Sequence, residues 1–280
     1  MAKHIYKWWW LLLVLSTNQA VALTLQGTFT QGGMATGQVE PGDRVKVDGE
    51  PVRVSEQGVF ILGFGRDAPL ETNISVLRDG REVETRTLRI AKREYDIQRI
   101  DNLPKSKVTP PQQDWERIKR ETALVKAARR LDDPRTDFLA GFIWPVKGRI
   151  SGVYGSQRIL NGNPRRPHFG IDVAAPVGTQ VVAPAGGVVT LAYPDMFFSG
   201  GTLIIDHGHQ LSSSFLHLSK ILVKEGDRVE QGDVIAEVGA TGRVTGAHLD
   251  WRMNLRSARI DPELLVPSMS EHKVVVEAKP

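Results

Sequence analysis

Val177-Gly178-Thr179-Gln180-Val181-Val182-Ala183-Pro184, followed by Gly186-Gly187-Val188-Val189, is the stretch on which the fold turns. Short β-branched runs broken by glycine and proline do not sustain a helix. They read as paired strands around a glycine turn. The same texture returns in Val223-Lys224-Glu225-Gly226-Asp227-Arg228-Val229 and in Gly232-Asp233-Val234-Ile235. It holds from Phe138 onward, so residues 138–280 are expected to form an all-β unit with tight turns. Five of the seven histidines lie inside it, between His168 and His248.

Upstream, Leu23 to about Ile100 shows short alternating strands. Arg44-Val45-Lys46-Val47 alternates, Asp48-Gly49 turns, and Val52-Arg53-Val54 returns, as in a hairpin. Gly58 to Leu62, Asn73 to Leu77 and Val83 to Ile90 add strands, with a further turn at Asp79-Gly80. A small antiparallel β-sandwich over 23–100 is predicted. It carries no cluster of metal-binding or catalytic residue types, which suits a binding or spacer module. Residues 101–137 read as linker and helix. Prolines dominate Leu103-Pro104 to Pro110-Pro111, and helix formers fill Gln112 to Leu131. There Trp115, Ile118, Thr122 and Val125 fall at helical spacing, and the helix is expected to pack between the two units. The predicted fold class is mainly β.

The first 22 residues read as an export signal. Lys3, His4 and Lys7 precede the apolar run Trp8 to Leu15, and Ala20-Val21-Ala22 offers a cleavage site. That run is far shorter than the roughly 20 residues a membrane-spanning helix needs. An uncleaved anchor is the alternative reading. Removing Lys3 and Lys7 takes the net charge from +4 to +2, too weak a balance to indicate nucleic acid. The absence of cysteine excludes disulfides, thiol nucleophiles and cysteine–zinc sites.

Three clusters carry chemistry. In His168-Phe169-Gly170-Ile171-Asp172 the even spacing projects His and Asp to one face of an extended chain, and Gly170 leaves room between them. His217 stands in Phe215-Leu216-His217-Leu218. His248-Leu249-Asp250-Trp251 again places two polar side chains on one strand face. Imidazoles and carboxylates suit zinc, and a catalytic zinc site takes three protein ligands plus one open position. Each fragment alone is weak evidence. Even-spaced polar pairs on otherwise apolar strands are costly to bury without a purpose.

From about Trp144 to Pro267 the chain resembles the lysostaphin-type metallopeptidases, peptidase family M23. The resemblance rests on Trp144-Pro145-Val146-Lys147-Gly148, His168-x-Gly170-x-Asp172 and Gly200 to Gly208. It continues through His217-Leu218, Gly239-Ala240-Thr241-Gly242 and Gly246-Ala247-His248-Leu249. It implies one zinc ion per chain held by His168, Asp172 and the residue at 250, with His217 and His248 acting around the water and the oxyanion. It also implies endopeptidase activity on the peptide cross-links of bacterial peptidoglycan, by a protein exported to the periplasm or cell envelope, or secreted.

The chain departs from that pattern at Asp250, where the family has His. Two carboxylates and one imidazole are expected to cancel the charge of a divalent ion, to weaken its polarising power and to admit harder metals such as Mn²⁺. On this reasoning Asp250→His restores a positive site. Tyr154 resembles an upstream tyrosine that assists the transition state in some relatives, packing being the equal alternative. Arg158, Arg165 and Arg166 are candidates to meet substrate carboxylates, or are simply solvated. His207 reads as structural; His209 and His272 read as surface residues. The rival reading is a metal-poor, non-catalytic scaffold that binds cell wall or activates other wall hydrolases. Val223-x-x-Gly226-x-x-Val229-x-x-Gly232-x-x-Ile235 also resembles the hairpins of biotinyl and lipoyl carriers, a reading disfavoured because no Met-Lys-Met or similar tip occurs and carriers have no need of histidines.

Overall fold

The computed structural model describes residues 23–100, 112–160 and 162–269. The export signal, the proline linker and His272 lie outside the described residues.

The first part of the chain forms two antiparallel sheets. β1 (Thr24–Gly27), β2 (Met34–Gln38) and β5 (Val59–Gly63) make one. β3 (Arg44–Val47), β4 (Glu50–Val52), β6 (Glu71–Arg78) and β7 (Arg81–Arg89) make the other, in the order β4-β3-β6-β7. The predicted turns are present. Asp48 and Gly49, and likewise Asp79 and Gly80, all take positive φ, the requirement of a two-residue hairpin turn that matches strand twist. Phe60 and Leu62 of β5 face the core of this sandwich with Val45, Ile74 and Val76. Val59 and Ile61 point the other way, into the core of the later strands. β5 is therefore shared between two cores, and the module is welded to its neighbour.

β8 (Ile97–Ile100) leads towards α1 (Trp115–Ala128). The helix does not pack between the units as expected. It lies on the later sheet, where Val125 and Ala128 meet Leu191, Met196 and Ile204. Trp115 is exposed, and the buried Glu121 receives the Arg117 guanidinium and the Phe197 amide instead. The inward stripe thus runs 121-125-128, because a buried hydrogen-bonded carboxylate replaces an apolar residue in it.

The remaining strands are β9 (Arg149–Gly152), β10 (Gln157–Leu160), β11 (Asn163–Pro164), β12 (Ile171–Ala174), β13 (Gln180–Val182) and β14 (Gly187–Met196). They continue as β15 (Gly200–Asp206), β16 (Leu211–Ile221), β17 (Arg228–Val229), β18 (Val234–Val238), β19 (His248–Leu255) and β20 (Ala258–Ile260). The main sheet runs β17-β14-β15-β16-β19-β12-β9, with β13, β18 and β20 attached beside it. β8 pairs parallel to β10, tying the first part of the chain to the second. β13 pairs with β18, and β14 with β15 and β17, so the two opening runs are not partners of each other as expected. One face of the main sheet carries Ile171, Val173, Leu203, Phe215, Leu249, Trp251 and Met253 into the core. The opposite face carries the chemistry.

Candidate metal centre

β12 and β19 are antiparallel neighbours, with Asp172 directly opposite Asp250 and Ala174 opposite His248. Strand alternation sends Leu249, Trp251, Met253 and Leu255 into the core, so His248, Asp250, Arg252 and Asn254 share the other face. Two carboxylates facing each other across a strand pair repel. A cation between them removes that conflict.

His168 does not lie on a strand, contrary to the even-spacing argument; β12 begins only at Ile171. Backbone bonds hold it in the entering loop: its amide donates to the Ser156 carbonyl, and its carbonyl accepts from the Gly155 amide, both at 2.8 Å. Its Nδ1 lies 3.3 Å from the Val153 carbonyl. A carbonyl only accepts, so Nδ1 carries the hydrogen and Nε2 faces the carboxylates. Nε2 is 3.1 Å from Asp172 Oδ1 and 3.6 Å from Asp250 Oδ2. Gly170 makes this approach possible, since a Cβ there would collide with Asp250 Oδ1 and the Arg252 side chain. A Cβ on Gly152 would likewise strike the Asp172 carboxylate.

One ligand atom each from His168, Asp172 and Asp250 lies within 4.8 Å of the others. His168 Nε2 and Asp172 Oδ1 are buried and satisfied by no hydrogen bond. Burial would lower the His168 pKa, but Asp172 and Asp250 overcome it and push it up to about 10. The centre therefore draws in a positive charge, either a proton on Nε2 or a metal ion. A ligand histidine whose second nitrogen donates to a backbone carbonyl is the usual arrangement in metal sites. The residues fit a divalent ion.

Asp250 does not stand alone. Arg252, two residues on and on the same face, grips both its oxygens: Nε lies 2.8 Å from Oδ1, and a second nitrogen bonds Oδ2. Asp250 is 3% exposed. Burial would raise its pKa, but the guanidinium overcomes this and holds the carboxyl below its usual range, with His168 adding to the effect. Each carboxylate oxygen has two lone pairs, so Asp250 has capacity for a metal as well. The charge expectation is thereby corrected. Two carboxylates and one guanidinium sum to a single negative charge, and a divalent ion leaves the centre positive.

His217 arrives by a different route. Along β16, Ser213 and Phe215 face the core, so plain alternation would bury His217 there too. Pairing between β15 and β16 shifts register between Gly201 and Leu203, opposite this point. His217 adopts φ 66°, an uncommon value for a residue with a side chain. The bulge turns its ring to the polar face. Nδ1 donates to the Thr241 carbonyl at 2.9 Å, within Gly239-Ala240-Thr241-Gly242. Burial lowers its pKa, so the ring is neutral at pH 7 with Nε2 open. His248 donates Nδ1–H to the Gly246 carbonyl at 2.9 Å, and its Nε2 lies 3.8 Å from Asp172 Oδ1. The two rings are 4.9 Å apart.

The other candidates fall outside this cluster or on its rim. Tyr154 is 3% exposed, donates its hydroxyl to the Arg259 carbonyl and packs edge-on against Tyr95. Arg158 and Arg165 meet through the backbone at β10. Arg166 sits 5.5 Å from the Phe169 ring centre, on the side of Arg252. His207 is fully buried, bonded to the Gly186 carbonyl and Ser213 Oγ, as a structural role requires. His209 is buried against Phe138 instead of lying at the surface, because the 3-10 turn Asp137–Ala140 covers it.

Sequence reasoning missed Arg252. The signal was present as the third member of the alternating series His248-x-Asp250-x-Arg252.

The family model for Peptidase family M23 matches residues 166–262. A crystal structure of a protein assigned to peptidase M23, from Pseudomonas aeruginosa, is 32% identical with a TM-score of 0.66. The match covers 85% of this chain and 95% of that one. The chain belongs to peptidase family M23. Among curated relatives, peptidoglycan DD-endopeptidase ShyA of Vibrio cholerae is 39% identical over 123 residues, covering 42% of this chain and 28% of that one. ShyB of the same organism is 40% identical over 117 residues, covering 38% and 27%. The chain spans little more than a quarter of the length of these two relatives. The M23 match includes His168, Asp172, His217, His248 and Asp250.

Proposed function

We propose that this protein is an exported, zinc-dependent endopeptidase that hydrolyses the peptide part of peptidoglycan. The observation that carries the reading is the convergence of His168, Asp172 and Asp250 within 4.8 Å, flanked by His217 and His248, whose Nδ1 atoms are each held by a backbone carbonyl. The similarity to ShyA and ShyB, both named peptidoglycan DD-endopeptidases, supports the substrate class. The Ala-x-Ala leader supports export to the envelope. Among the described residues, no helix is long and apolar enough to cross a membrane.

His168, Asp172 and Asp250 would hold the ion, which supplies Lewis acidity for a scissile carbonyl and a water molecule. The side chains do the rest. His217 is neutral and presents Nε2 as the acceptor for the proton of the attacking water. Once protonated, the His217–His248 pair offers an N–H to steady the oxyanion. That proton then passes to the departing amine. Arg252 keeps the centre positive while Asp250 serves as a ligand.

The test is digestion of purified peptidoglycan with zinc, followed by mass analysis. Peptide-cleaved fragments that vanish with a chelator are expected. Sugar-cleaved fragments, or indifference to chelation, overturn the reading. Metal-free protein without hydrolysis points to the scaffold alternative.

A further inference from the structure

Beyond Asp250 the polar sheet face becomes strongly basic. Arg252 lies on β19, and Ser214 stands opposite it on β16. Arg129, at the end of α1, donates to Ser214 Oγ at 2.9 Å, while its Nε is buried without a partner. Arg259 on β20 bonds the Asn254 side chain, whose own Nδ2 is buried and unpartnered. The guanidiniums of Arg166 and Arg259 lie 5.5 and 5.9 Å from the Phe169 ring centre, so one ring braces both. The carboxylates that act on this patch are Asp250, which Arg252 and His168 already occupy, and Asp172, which faces the metal centre.

Four guanidiniums therefore outnumber the two carboxylates, both of which belong to the metal centre. Burial and the charges of Arg259, Arg252 and Arg166 together push the Arg129 pKa down to about 9. Burial, then Arg166 and Arg252, bring Arg259 down to about 10. A fold gains nothing from crowding like charges on a face it leaves open, unless an anion arrives there. Planar guanidiniums favour a carboxylate held by two parallel bonds.

We infer that Arg129, Arg166, Arg252 and Arg259 form a subsite for a free carboxylate of the peptide substrate. The inference rests on the peptidase reading of the neighbouring centre. Residues along a strand rise about 3.4 Å each. Arg252 is two residues from Asp250 and Asn254 is four, so the patch borders the metal centre on the same strand face. Stem peptides of peptidoglycan carry such carboxylates, so the subsite selects acidic stems over amidated ones.

The experiment compares muropeptide dimers carrying free carboxylates with the same dimers after carbodiimide-mediated amidation. With zinc-loaded full-length protein, kcat/KM should be roughly 10-fold or more higher for the free form, the scale of one charge-assisted pair. Arg166→Gln, at an exposed position, and Arg129→Gln should each erase that preference through a raised KM for the free form. Calorimetric binding to metal-free protein should show the same preference without any hydrolysis. Retained binding preference with no cleavage of either dimer would break the peptidase reading and leave the subsite standing. Equal binding and cleavage of both dimers overturns the subsite. Competition by inorganic sulfate as strong as that of the free dimer would mark a site for small anions only, and also overturns it.

Discussion

Asp250→His is the perturbation on which sequence and structure disagree most sharply. Composition of the ligand set alone says that it should restore a family-like site. The structure says that it should strand Arg252, whose guanidinium has both carboxylate oxygens of Asp250 as partners. Removing one member of a buried ion pair costs about 3–5 kcal/mol. Arg252 keeps 25% of its side chain exposed against 4% for Asp250, so the lower end, about 3 kcal/mol, applies. For a chain of this size that is roughly 6–12 °C in melting temperature. The added imidazole also faces His168 and no longer balances it. Arg252→Gln in the same chain removes the stranded charge, so the double variant should recover most of the loss. The assay is a four-protein cycle of thermal unfolding in chelator, so that metal binding does not enter. A coupling of at least about 2 kcal/mol is expected between the two positions. An Asp250→His protein as stable as the parent, or strict additivity in the double variant, refutes the reasoning.

Three other outcomes follow from the same geometry. His217→Ala and His248→Ala should each lower peptidoglycan turnover by about 10² or more, with metal content by atomic absorption unchanged; a folded but metal-free variant would make that residue a ligand. Burial lowers the His207 pKa from 6.5 to about 4, so the unfolded chain takes up the proton first, and stability present above pH 6.5 is lost down to about pH 4. That is roughly 3 kcal/mol. His207→Asn should flatten this slope relative to the parent; the parent comparison is needed because burial raises Asp206 to about 6, which titrates with opposite sign. Ile61→Ala should cost about 2–5 kcal/mol and shift a single unfolding transition, since Ile61 is fully buried in the core of the later strands; two transitions with only the first displaced would show that the weld does not couple them.

Much of this protein was legible in the chain. Asp48-Gly49 and Asp79-Gly80 announce hairpins because few other pairs accept positive φ at both positions. His248-x-Asp250 announces a shared strand face because side chains alternate with period two. Glycine at 170 announces a close approach, although the neighbour it admits is Asp250 from β19 and not a residue of its own segment. These are local rules, and local sequence suffices for them.

What only the tertiary structure decided depends on partners far along the chain. A register shift between β15 and β16 turns His217 from the core to the site, and no property of Phe215-Leu216-His217 foretells it. The Val153 carbonyl selects the His168 tautomer from a loop that precedes it. Val59 and Ile61 enter a second core because β5 happens to be buried on both faces. Arg129 reaches the polar face from a helix that packs on the sheet instead of between the units. Above all, Asp250 reads as a loss of charge in the sequence and as half of an ion pair in the fold. Electrostatic balance is a property of which groups stand within a few ångströms, and strand pairing sets that.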